Sequence, residues 1–138
     1  MDAMIEELYQ EIILDHYRSP RHRGRCPHCG RTAHRDNPLC GDEITLGLEL
    51  SEGTIARVVF EGQGCSISQA SASMMAEAVD GLGVERALEL AASVRRLMHG
   101  EPPEEDLGDL MALSGVARFP VRVKCALLPW TALVEALS

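Results

Sequence analysis

Three cysteines, Cys40, Cys65 and Cys125, each stand where a local signal would hold a thiol at the edge of a fold. Cys40 lies in the turn-like run Asn37-Pro38-Leu39-Cys40-Gly41-Asp42. Cys65 follows Gly62-Gln63-Gly64 at a hinge between a strand pattern and a helix pattern, and Cys125 lies in the last helical segment. They are too far apart in the chain to make a local zinc knuckle, so any joint action depends on the fold bringing them together, with Asp42 as the oxygen ligand beside them. Three thiolates and one carboxylate suit a four-coordinate zinc or iron site. The harder carboxylate exchanges more readily than a fourth thiolate, which a site that opens to sulfur or iron requires. Cys65 at a helix start gains from free amides and the helix dipole, and Arg122 and Lys124 bring positive charge towards Cys125. Taken singly, each cysteine could equally be a packed core residue, Asp42 a turn residue bonding its own backbone, and Gly62 and Gly64 only a hinge.

The elements that must position these residues follow from pattern. Ile5, Leu8, Tyr9, Ile12 and Tyr17 recur at helical spacing, with His16 and Arg18 in the last turn and Pro20 beyond, predicting an amphipathic helix over 3–18. From Arg18 to Pro38 the chain is polar and basic with Pro and Gly throughout, the pattern of a long surface loop. Ile44, Leu46, Leu48 and Leu50 alternate with polar residues, Ser51-Glu52-Gly53 turns the chain, and Thr54 to Glu61 returns as the second strand of a half-buried hairpin. Two strands alone are marginal, so a third is expected from the 20s and 30s. Residues 66–80 and 84–98 read as helices, with Ser66, Ser68, Ser71 and Ser73 on the first marking close packing or a polar rim. The acidic run from Gly100 to Gly115 reads as a surface excursion with one short helix at Leu107 to Leu113. Pro120 opens a final helix over 120–137. The order of elements predicts an α+β fold: a small antiparallel sheet of about three strands with helices on one face, in one domain spanning 1–138.

Composition bounds the function. At 138 residues and 46% hydrophobic content the chain fills one core. A formal charge of -8 argues against nucleic-acid binding, which needs a basic surface to meet phosphates. The N-terminal residues carry neither a basic n-region nor an apolar h-region, so no membrane span or export signal is expected and the protein is placed in the cytoplasm. Five cysteines in a reducing compartment favour metal or sulfur chemistry over a disulfide framework.

The wording around the cysteines carries a resemblance. Asn37-Pro38-Leu39-Cys40-Gly41-Asp42, Gly62-Gln63-Gly64-Cys65-Ser66-Ile67-Ser68 with Ala70-Ser71-Ala72-Ser73, and Val123-Lys124-Cys125-Ala126 resemble, in order, the three signature segments of the U-type iron-sulfur cluster assembly proteins, the IscU/SufU family. The first helix, ending Asp15-His16-Tyr17-Arg18-Ser19-Pro20, extends the resemblance over nearly the whole chain. It implies that Cys40, Asp42, Cys65 and Cys125 hold zinc or a nascent [2Fe-2S] cluster, and that a PLP-dependent cysteine desulfurase supplies sulfur as persulfide. Two departures select a branch. IscU-type scaffolds carry a histidine just before the third cysteine, where this chain has Lys124, and the Gly100 to Arg118 segment looks like the extra segment of SufU-type proteins. The resemblance therefore implies a zinc-binding sulfur acceptor, a relay rather than a free-standing enzyme, with Cys40 as the attacking thiol and iron-sulfur scaffold or recipient proteins downstream. The alternative is an IscU-type scaffold that binds iron and assembles a [2Fe-2S] cluster on Cys40, Cys65 and Cys125. A third possibility is a zinc site that is purely structural.

Some features fit neither template. Cys26-Pro27-His28-Cys29-Gly30 reads like half a zinc knuckle that His22 or His34 could complete, or else as free thiols or a redox-sensitive pair. Pro129 falls inside the last helical pattern, where it lacks an amide for the carbonyl of residue 125 and predicts a kink. His99 and His16 read as a helix-end cation and a surface or capping residue.

Overall fold

The computed structural model describes residues 3–138. Its order is α1 (Ala3–Arg18), β1 (Arg31–Asn37), β2 (Asp42–Ser51), β3 (Thr54–Gln63), α2 (Ser66–Val79), α3 (Val84–Met98), a 3-10 helix (Gly108–Arg118) and α4 (Pro120–Leu137). The strands form one antiparallel sheet in the order β1-β2-β3, with Asn37 opposite Asp42 and Leu46 opposite Phe60. The α+β prediction and the expected third strand both hold. The strand lies at 31–37, so only the first part of the Arg18 to Pro38 run is loop. Its residues are mostly exposed, which hid it from a reading by apolar alternation.

Alternation in β2 and β3 sets the inner face. Ile44, Leu46, Leu48, Ile55, Val58 and Phe60 are almost fully buried against α2 and α4, each side chain contributing about 1.5–3 kcal/mol by leaving water. The outer face is crossed by the segment that joins α1 to β1. Gly24 N–H donates to the Phe60 carbonyl at 2.8 Å and Phe60 N–H to that of His22 at 3.0 Å, which ties the segment to the free edge of β3. The chain then passes over β2 and enters β1 at the opposite edge.

The helices differ from their sequence patterns in three places. In α1, Tyr9, Ile12 and Ile13 face the core, whereas Ile5, Leu8 and Tyr17 stand exposed. His16 is not a surface residue. It is 2% exposed and its Nδ1 lies 2.8 Å from Ser73 Oγ on α2, so the last turn of α1 is pinned inward by a polar contact. The acidic excursion is not purely superficial either: Leu107, Leu110, Leu113 and Val116 are buried, and the expected short helix is instead a longer series of 3-10 turns packed on α1 and α3. Ser68, Ser71 and Ser73 are fully buried, so the serines of α2 serve close packing. α4 runs continuously through Pro129.

Candidate metal centre

Cys40 owes its position to the hairpin between β1 and β2. Asn37 organises the turn: its carbonyl accepts from Cys40 N–H at 3.1 Å and Gly41 N–H at 2.9 Å, and its side-chain Oδ1 accepts from Leu39 N–H at 3.2 Å. Gly41 closes the turn at φ 70°, a conformation glycine adopts without penalty. Cys40 therefore projects half-buried from a hairpin tip, beside Leu39, which is 84% exposed.

Asp42 and Cys65 are seated together. Asp42, the first residue of β2, is 1% exposed, and its Oδ1 accepts the Cys65 backbone N–H at 2.7 Å. Its Oδ2 lies 3.7 Å from Cys65 Sγ. Cys65 is the N-cap of α2, and its sulfur receives the Ser68 N–H at 3.5 Å. Gly64 lets the two approach: a Cβ there would collide with the Asp42 carboxylate and lie 2.7 Å from Asp42 Cα.

Cys125 comes from the other end of the chain, on the inner side of α4, and is 2% exposed. Ser71 ties that turn to α2, its hydroxyl donating to the Ala126 carbonyl at 2.6 Å and accepting Trp130 Nε1–H at 3.1 Å. Cys125 Sγ consequently sits 3.6 Å from Cys40 Sγ.

The fold thus brings all four sequence-predicted residues to one end of the sheet. Ligand atoms of Cys40, Asp42 and Cys125 lie within 4.8 Å of one another, and Cys65 adjoins through Asp42. Burial pushes the Cys125 thiol far above the ordinary thiol range, and the Asp42 carboxylate and the Cys40 and Cys65 thiols push it further. The positive charge expected from the neighbouring side chains does not reverse this, since Arg122 and Lys124 point to the surface. A cation held between these groups would favour the ionised sulfur. The soft donor set, with one oxygen, fits zinc or iron.

Two further clusters lie outside this centre. Cys26 and Cys29, which the motif left open as a second metal site, free thiols or a redox-sensitive pair, are joined as a disulfide, because the turn that gives Cys29 N–H to the Cys26 carbonyl at 3.1 Å places the sulfurs side by side. Glu49 completes that group, and nothing in a strand of alternating residues singles it out. The buried His16 adjoins Glu77 and Asp109. Arg21 occupies that acidic surround, meeting Asp15 at 2.6 Å and Glu77 at 3.5 Å, so it reads as an ion network.

The family model described as NifU-like N terminal domain matches residues 8–126. The chain belongs to this family. This NifU-like chain is 41% identical to a protein of Bacillus subtilis named zinc-dependent sulfurtransferase SufU, over 99% of this chain and 94% of that one. It is 40% identical to the iron-sulfur cluster assembly scaffold protein IscU of Streptococcus pyogenes, covering 99% and 86% respectively. Among solved structures, a putative iron-sulfur cluster assembly scaffold protein for the SUF system from Fervidobacterium islandicum superposes with a TM-score of 0.90 at 36% identity, covering 96% of this chain and 98% of that one. These matches span both branches that the signature segments resemble. Among the described residues no helix of the NifU-like chain is long and apolar enough to cross a membrane.

Proposed function

We infer that the whole chain, residues 1–138, is one unit of iron-sulfur cluster assembly that binds zinc through Cys40, Asp42, Cys65 and Cys125 and accepts sulfur on Cys40 from a cysteine desulfurase. The observation that carries this reading is the 3.6 Å approach of Cys40 Sγ to Cys125 Sγ beside a buried carboxylate. Bound there, zinc supplies the positive charge that keeps the thiols ionised at neutral pH. The chain's own residues supply the rest. Cys125 and Cys65 are anchored on helices tied to each other through Ser71 and Ala126, whereas Cys40 stands on a hairpin tip. Of the three sulfurs, that of Cys40 is the one whose support can move towards a partner.

In the transfer step the Cys40 thiolate attacks the outer sulfur of the desulfurase persulfide. The persulfide S–S bond breaks, its electron pair leaves on the desulfurase cysteine, and the outer sulfur stays on Cys40 as a new persulfide. Asp42, fixed by the Cys65 amide, and the helix-bound sulfurs keep their places while the hairpin tip delivers its cargo to a downstream scaffold or recipient. Exposed Leu39, Phe119 and Val121 offer an apolar rim for the partner that brings the persulfide.

Relatives named as sulfurtransferase and as scaffold support two branches. Lys124 favours the acceptor: it is exposed and adds no ligand beside Cys125. The test is cysteine desulfurase turnover with and without this protein, with mass spectrometry of each cysteine. The acceptor reading expects stimulated turnover and an added sulfur on Cys40 in a colourless zinc protein. A visible iron-sulfur chromophore surviving anaerobic purification, with no stimulation, would assign the scaffold instead.

A further inference from the structure

We propose that Cys26 and Cys29 are a second thiol centre, a reversible dithiol–disulfide couple that exchanges with dithiol reductants, with Glu49 carrying the proton. This centre is separate from the metal site. Gly47, on which it rests, lies roughly 17 Å along β2 from Asp42 at the rise of an extended strand, so no sulfur of one centre reaches the other.

Three features of its seat support exchange over a structural role. The first is the size of the loop. The Cys26–Cys29 bridge closes a single turn, and a bridge over so short a loop restrains the unfolded chain least. The fold holds the segment without it, through Gly24 on β3, the 2.8 Å ion pair of Arg25 with Glu61, and the entry of the chain into β1 at Arg31. The second is access. Cys26 is half-buried and Pro27 and His28 are exposed, while Cys29 is 9% exposed and lies beneath them, so a reductant meets one sulfur and leaves the other as the departing group. The third is a fitted floor. A Cβ at Gly47 would stand 3.3 Å from Cys26 Cβ and 3.4 Å from Cys29 Sγ, so the bare glycine admits both cysteines against the sheet. Because the turn also holds Cys29 N–H on the Cys26 carbonyl, a reduced pair stays adjacent and poised to close again.

Glu49 Oε1 stands 3.7 Å from Cys26 Sγ. In the reduction step a reductant thiolate attacks Cys26 Sγ, and the Cys26–Cys29 bond breaks with its electron pair leaving on Cys29 Sγ, which takes a proton from water. The reductant's second thiol gives its proton to Glu49 and attacks the reductant sulfur of the mixed disulfide. Cys26 Sγ departs with the electron pair and receives that proton. Two electrons and two protons pass from the dithiol to the pair, and the reductant is left as a disulfide. Oxidation is the reverse.

The experiment uses the full-length protein with its zinc content measured. It is equilibrated anaerobically in buffers of graded oxidised to reduced dithiothreitol, thiols are trapped by alkylation, and each cysteine is read by peptide mass spectrometry. The expected result is that Cys26 and Cys29 convert together as one two-electron couple within the native protein, while Cys40, Cys65 and Cys125 keep their state. Glu49→Gln slows reduction by dithiothreitol by about a hundredfold, the low end of what a positioned acid or base supplies having been lost, with circular dichroism and zinc content unchanged. A bridge that opens only on denaturation, a pair that stays reduced in the most oxidising buffer, or a reduced pair that takes up an additional zinc and resists reoxidation would each overturn the couple. A wild-type exchange rate in Glu49→Gln would remove Glu49 from it. None of these readouts depends on sulfur transfer to Cys40, so the two readings fail separately.

Discussion

Asp42 Oδ1 accepts the backbone N–H of Cys65 at 2.7 Å, so a residue that opens one strand holds the first turn of a helix that starts after the next strand. One carboxylate therefore has two duties, seating the α2 N-terminus and facing the thiols. Asp42→Ala should cost the metal-free protein about 1–3 kcal/mol, the range for a buried amide left without its acceptor. Asp42→Asn, which keeps an oxygen, should cost less. Zinc should be retained by Asp42→Ala through the three sulfurs and exchange more slowly, since water or a fourth soft ligand can take the place of the carboxylate. Urea unfolding with chelator present, and zinc release to a chromophoric chelator, measure the two duties apart. Wild-type stability of metal-free Asp42→Ala would show that the amide contact contributes nothing.

Gly64 has φ 137° and its missing side chain is the space that Asp42 fills. Gly64→Ala should lower stability by about 2 kcal/mol or more, since both backbone strain and a collision with a fixed main chain are involved. Its zinc affinity should fall as Asp42 is displaced. Thermal unfolding and zinc titration read this directly, and near wild-type values in both would refute the close approach.

Cys40→Ser should abolish acceptance of persulfide while leaving the fold intact, because the hairpin tip lies outside the core and a serine hydroxyl stays protonated at neutral pH. Cys125→Ser is the contrasting variant. It introduces a hydroxyl at a position 2% exposed, so stability and zinc binding should both fall. Desulfurase turnover, zinc content and thermal midpoints on the two proteins distinguish the roles, and wild-type acceptance by Cys40→Ser would move the accepting thiol elsewhere.

His16 gives the fold a pH dependence with a definite sign. Burial, reinforced by Arg21, lowers its pKa below the ordinary 6.5, although Glu77, Asp15 and Asp109 oppose the shift. The unfolded chain therefore binds the proton more readily, and the associated stability is complete above 6.5 and lost as pH falls through the lowered folded value. His16→Gln, able to keep a bond to Ser73, should flatten the loss of stability between neutral pH and the value where the native histidine titrates. Parallel pH profiles of the urea midpoint for the two proteins would exclude this contribution.

How far these features can be read from sequence depends on whether their cause is local. Cys40, Asp42, Cys65 and Cys125 stand out because turn and cap residues surround them, and the sheet and α2, α3 and α4 follow from alternation and helical period. β1 does not, because it is an edge strand with mostly exposed residues, and its partner rather than its pattern makes it a strand. The inward place of His16 was hidden for a related reason: Ser73, which satisfies it, lies on another helix. Periodicity alone does not set how far the apolar face of α1 is covered: Ile5 and Leu8 share the period but extend beyond the surface that α2 and the 3-10 helix cover. The Cys26–Cys29 pair was visible as a motif, but Glu49 and the floor at Gly47 belong to a neighbouring strand.

The meeting of Cys40 with Cys125 spans 85 positions of the chain, and this separation has a consequence for biogenesis. Contacts of such long range form late, after the shorter loops have closed. A chain emerging from the ribosome displays Cys40 and Cys65 well before α4 exists to cover them, so through much of its synthesis it carries two reactive sulfurs without their partner. Metal captured by that partial chain would be held by too few ligands and readily lost. Completion of the last helix is thus the event that turns a pair of vulnerable thiols into a defined centre, and a chain that ends before Cys125 lacks both the third sulfur and the helix that covers β1 and β2.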